Sequence, residues 1–102
     1  MEKRTPHHSL ANVQAVVADH ASRPFTVTAL RGGLELGLTE PEMRGVVFAL
    51  SRRDFYKSMT TNADHREWQD VYHGMTEDGV VVYIKITAYT DGRPPVIQFK
   101  AK

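Results

Sequence analysis

The sequence predicts an α+β fold, with three N-terminal helices packed on a mostly antiparallel sheet. Two observations carry this expectation. Apolar residues recur at near-helical spacing as far as Leu50, and from Asp54 onward the period changes to two. The later runs are also joined by short connections, where Asp78-Gly79 and Asp91-Gly92 mark turns. A chain of 102 residues with 41% hydrophobic and 25% charged residues fits one small domain spanning 1–102, with no room for a second core.

Taken in order, Ser9 is an N-cap candidate, and Leu10, Val13, Val16 and Val17 predict a helix over about Ser9–His20. Ser22-Arg23-Pro24 ends it, because proline cannot continue helical bonding. Phe25–Val27 is expected to be extended, followed by a second helix capped by Thr28 and carrying Leu30 and Leu34. Gly32-Gly33 weakens that helix by roughly 1 kcal/mol per glycine, and Gly37 supplies a left-handed stop with Leu38 packing back. Thr39-Glu40-Pro41-Glu42 reads as a capping box for a third helix, Glu40–Leu50, whose Met43, Val46, Val47 and Leu50 form one apolar stripe. Phe55–Met59, Trp68–Tyr72, Val80–Tyr89 and Val96–Lys100 then read as strands, rich in aromatic and β-branched residues.

Composition removes several function classes. A net charge of +1 is far from that of a strongly basic, DNA-wrapping protein. There is no cysteine, which rules out disulfides, cysteine-held zinc and cysteine nucleophiles, and fits a reducing cytoplasm. The charged opening MEKRTPHH is not a secretory signal, and no run approaches the roughly 18 apolar residues of a membrane span. His7 and His8 lie near a terminus, His20 at a helix end, and His65 and His73 in connections. None of them shows the i, i+4 pairing of a metal site.

Strand alternation sorts the remaining candidates. Val82, Ile84, Ile86 and Ala88 share one face of their strand, and Tyr83, Lys85, Thr87 and Tyr89 the other. Ile97 and Phe99 oppose Val96, Gln98 and Lys100. Lys57 and Gln69 can join the polar face from the first two strands. A merely solvated face is one reading of this pattern. The other is a basic, aromatic surface suited to phosphate and stacked bases, as single-stranded nucleic acid requires.

MEKRTPH, DFYKSMT, ADH, WQDVY, YIKIT and FKAK, in that order and over nearly the whole chain, closely resemble the MqsR (motility quorum-sensing regulator) family of type II toxins. The resemblance implies a fold like that of RelE-type RNase toxins and a metal-independent endoribonuclease, with no cofactor, that cuts mRNA at GCU-like sequences. It also implies a cognate MqsA antitoxin, a zinc-containing protein with a helix-turn-helix DNA-binding part. Lys57, Gln69, Tyr83 and Lys100 correspond to the family's catalytic set. Tyr56 and Met59 look like supporting RNA contacts, and Lys85 joins them from the same face. Thr90 stands where a histidine can occur in the family and His73 where an arginine can. The Asp91–Pro95 turn is longer than usual. A non-catalytic RNA- or protein-binding module using the same face is the alternative.

Overall fold

Capping residues set where the helices start. In the computed structural model, which describes residues 1–102, Ser9 accepts a hydrogen bond from the Asn12 amide and opens α1 (Leu10–Ala18). Thr39 and Glu42 form the reciprocal box at the head of α3 (Glu40–Phe48), and Glu42's carboxyl is held below its usual range by the backbone amide of Thr39. The second helix, α2 (Val27–Glu35), starts earlier than the sequence suggests. Its cap is Thr26, whose hydroxyl accepts from the Ala29 amide, while Thr28 already lies inside the first turn. Gly37, at φ 75°, ends α2, with Leu38 N donating to Gly33 O and Gly37 N to Leu34 O as in a Schellman stop.

Leu30 and Leu34 are not the buried side of α2, and Leu34 is 74% exposed. The buried residues are Ala29, Gly32 and Gly33. The reason is proximity. A Cβ on Gly32 would stand 2.2 Å from Phe99 O, and one on Gly33 would stand 2.2 Å from the Met43 sulfur. The two glycines that lower helix propensity are what allow α2 to lie directly on the last strand and beside α3.

The sheet has five antiparallel strands in sequence order: β1 (Glu2–Lys3), β2 (Phe55–Thr60), β3 (Trp68–Met75), β4 (Val81–Thr87) and β5 (Val96–Ala101). The two-residue β1 was not anticipated, because so short a segment carries no periodicity. Strand β3 runs three residues beyond the expected Tyr72, taking His73 out of the connection and into the sheet. The α+β architecture follows the expectation: helices cover one face and leave the other bare. Tyr72, Val82, Ile84, Ile86, Ile97 and Phe99 meet Val13, Val17, Met43, Val47 and Leu50 in one core. Each fully buried side chain of this size contributes about 1.5–3 kcal/mol.

Arg44 interrupts that core at only 7% exposure. Its Nε pairs with Glu40 at 2.7 Å, and its Nη1 donates to Val17 O at 3.0 Å and Asp19 O at 2.9 Å. The guanidinium thus satisfies the last carbonyls of α1, which have no partner within their own helix. No helix is long and apolar enough to cross a membrane.

Candidate active site

Strict alternation along FYKSMT cannot put Tyr56 and Lys57 on the same face, yet both reach the bare side. A register shift between Phe55 and Lys57 explains it: Phe55 pairs with Tyr72, Lys57 with Val71, and Tyr56 is the extra residue of a β-bulge. Phe55 therefore turns into the core, its ring 5.4 Å from that of Tyr72. Lys57 and Met59 face out, and Ser58 returns inward to bond Asp70 at 2.6 Å.

Cross-strand register arranges the bare face in rows. One row is His73–Tyr83–Lys100, with Tyr56 stacked on the His73 ring at 4.7 Å. His73 and Tyr83 lie 6.2 Å apart, and the Lys100 ammonium stands 5.3 Å from the Tyr83 ring centre. The next row is Lys57–Val71–Lys85–Gln98, and a third is Met59–Gln69–Thr87–Val96. All seven residues expected at the site, Tyr56, Lys57, Met59, Gln69, Tyr83, Lys85 and Lys100, thus share this face. They do not converge on one point. Gln69 donates to Thr87 Oγ1 at 3.1 Å, and four strand residues separate its row from that of Tyr83, about 13 Å.

The charges on this face differ in how they are met. Lys57 Nζ lies 2.9 Å from Glu2 Oε1, and this hydrogen bond raises the lysine above its ordinary value and lowers the carboxyl. Lys57 is accordingly a firm ammonium near neutrality, suited to charge neutralisation and not to proton abstraction. The four ion pairs of the fold leave out Lys85 and Lys100. Val71, fully buried between Lys57 and Lys85, gives the lysine stems an apolar floor.

Two members of this face were missed from sequence. His73 had a usable signal, since Gln69, Val71 and His73 continue the period of two. Glu2 had none, because its strand is recognisable only from pairing with residues more than fifty positions away. Asp64, His65 and Arg66 stay in a loop, where Asp64 binds Arg66 at 3.2 Å, away from the rows above. A cavity of about 420 Å³ opens beside that loop, lined by His7, His8, Trp68 and Arg93 among others, and contains none of the seven expected residues. A polymeric ligand needs an open track more than an enclosed pocket, so the bare face is the better site.

Fold and face together define an α+β protein with one sheet face free of helices that carries lysines and aromatic rings. The family description "motility quorum-sensing regulator, toxin of MqsA" matches residues 5–101, and the chain belongs to that family. It is 46% identical over 102 residues, covering 100% of both chains, to the mRNA interferase toxin MqsR of Escherichia coli strain K12.

Proposed function

We propose that the bare sheet face cuts mRNA by transesterification, and that this is how the protein inhibits translation and arrests growth as the toxin of a type II toxin–antitoxin pair. Family membership and full-length likeness to an mRNA interferase make the chain a toxin with endoribonuclease activity. The observation that supports placing the chemistry here is the His73–Tyr83–Lys100 row, with Lys57 in the adjoining row and Lys85 and Lys100 lacking any ion-pair partner. In the reaction a ribose 2′-OH attacks the adjacent phosphorus, the P–O5′ bond breaks, and a 2′,3′-cyclic phosphate and a 5′-OH remain. Lys57 and Lys100 neutralise the charge that grows on the phosphoryl oxygens, where a preorganised cation acts most strongly. Tyr83, between the strands that carry them, orients the phosphate or supplies a proton to the leaving oxygen. Gln69, about 13 Å along the strands, holds a neighbouring nucleotide. Tyr56 offers a stacking surface, Met59 an apolar contact, and Lys85 a backbone charge.

The chemistry runs without a metal, prefers GCU-like sites and takes place in the cytoplasm. The partner is a cognate MqsA-type antitoxin, zinc-containing, with a helix-turn-helix DNA-binding part. A defined RNA with one GCU, incubated with purified protein in excess chelator, tests this reading: cleavage there with 5′-OH ends is expected. RNA that is retained uncut with excess protein would overturn it and favour a non-catalytic binding module on the same face.

A further inference from the structure

Within the catalytic set expected from sequence, Lys57 is not the group to accept the 2′-OH proton. Lys57 is tied to Glu2 as a firm ammonium. His73 stands beside that set. It lies in the central strand of the five, directly across from Tyr83, whose other neighbour is Lys100. Its ring is fixed against Tyr56 at 4.7 Å and 24°. It is half-buried, and neither ring nitrogen is fully buried without a partner.

We propose that His73 is the general base of the cleavage reaction, an assignment that rests on the bare face being the RNA-cleaving site. Its unprotonated ring nitrogen takes the proton of the ribose 2′-OH as O2′ bonds to phosphorus. The P–O5′ bond breaks, and the departing oxygen takes a proton from Tyr83 or the Lys100 ammonium. The imidazolium then loses its proton to solvent and the Tyr83 or Lys100 donor regains one from solvent, which leaves no net change in the enzyme and requires no other reactant.

The surroundings keep the imidazole ready for this role. From β2 it is faced by Tyr56 and Lys57, and from β4 by Tyr83 and Lys85; Lys100 stands beyond Tyr83, Arg4 lies 5.9 Å from the Tyr56 ring, and Lys102 adds further positive charge. The turn Arg52–Asp54, packed against β3, adds Arg52, Arg53 and Asp54; of the nearby carboxylates Glu2 is engaged by Lys57 and Asp54 by the Ser51 amide and hydroxyl. Burial, and then the charge of Lys102, lower the histidine below its ordinary value. The ring is therefore unprotonated at neutral pH, and a base of this kind loses activity as pH falls through its pKa.

The test is the pH profile of kcat/KM for cleavage of a defined single-site RNA by the full chain. Wild type should show an acid limb below the ordinary histidine range. His73→Gln and His73→Phe, the second keeping an aromatic ring against Tyr56, should each lose the limb and about 10²-fold in rate near neutrality. His73→Arg keeps a cation but cannot accept a proton, and should lose the limb too. Added imidazole should restore part of the rate to His73→Ala. If wild type cleaves but the Gln and Phe variants keep the acid limb, His73 is a structural spacer and the assignment falls, whatever their rates. If wild type does not cleave at all, the reading of the face fails first and takes the assignment with it.

Discussion

The two faces of one sheet treat polar groups in opposite ways. On the helix-covered face Asp70 is 1% exposed, and its oxygens accept from His7 N at 3.0 Å, His8 N at 2.8 Å and Ser58 Oγ at 2.6 Å. Tyr72, its neighbour on that face, has its hydroxyl pushed up to about 12 by burial and by Asp70. No buried polar side-chain atom anywhere in the fold lacks a partner. On the bare face Lys57 is met by Glu2, Gln69 by Thr87 and Gln98 by the Thr26 hydroxyl, while Lys85 and Lys100 form no ion pair. Polar groups under the helices are consumed by the fold. On the bare side Lys85 and Lys100 are left outside the ion pairs.

The strongest way to break this contrast is to remove cations from the bare face. Lys57→Ala with Lys100→Ala should lower RNA cleavage by on the order of 10³-fold. The thermal midpoint should move by no more than about 3 °C. A large fall in midpoint would mean that these lysines serve the fold. Arg44→Met sharpens the contrast from the other side. Loss of the buried guanidinium should destabilise by on the order of 3 kcal/mol, a midpoint roughly 12–20 °C lower. Cleavage per folded molecule in the cold should be unchanged, and an RNA-cleavage defect without destabilisation would contradict the division.

Asp70→Asn is a smaller probe of the covered face. It retains shape but weakens three charge-assisted hydrogen bonds, and about 1.5 kcal/mol should be lost in urea titration with little effect on cleavage. Lys85→Ala should weaken RNA binding a few-fold and make the slope of log affinity against log salt shallower by about 0.7, as expected for one single-strand phosphate contact. The smallest effect belongs to Glu2→Gln, which removes the one carboxylate engaged with Lys57. RNA affinity should rise by about twofold, with no measurable change in thermal midpoint. The sign follows from the depressed Glu2 carboxyl: whatever the pair contributes is present above the unfolded carboxylate range and disappears as pH falls through the folded value. A gain in affinity that persists below that range would count against the pairing.

Local chemistry was the most legible part of the sequence. Thr39 and Glu42 cap α3 as their spacing requires, Gly37 ends α2, and the alternation Tyr83–Lys85–Thr87 marks the bare face correctly. What escaped was set by distant partners. Leu30 and Leu34 are the large apolar residues the sequence places on α2, yet the backbone of β5 and the side chain of Met43 select the glycines for burial. Nothing in the local pattern around Arg44 marks it as buried; it is the distant end of α1 that uses it. His73 lies one residue beyond the expected strand Trp68–Tyr72, beside Gly74. In the fold that glycine is a close-packing point, with a Cβ there 3.0 Å from both Ile84 and Val46 side chains.

The bulge at Tyr56 gives the site a dependence on chain length as well as on residue type. One additional residue between Phe55 and Lys57 lets an aromatic ring and an ammonium stand on the same side of a strand that would otherwise send them to opposite sides. Shortening the run by that residue would bring Lys57 next to Phe55 and restore strict alternation. Every later side chain of β2 could then keep its face only if the whole pairing with β3 stayed fixed. Loss of a single codon here would remove a stacking ring and could also shift the register of the strand that carries Lys57. Many point substitutions at the same place would change only one side chain.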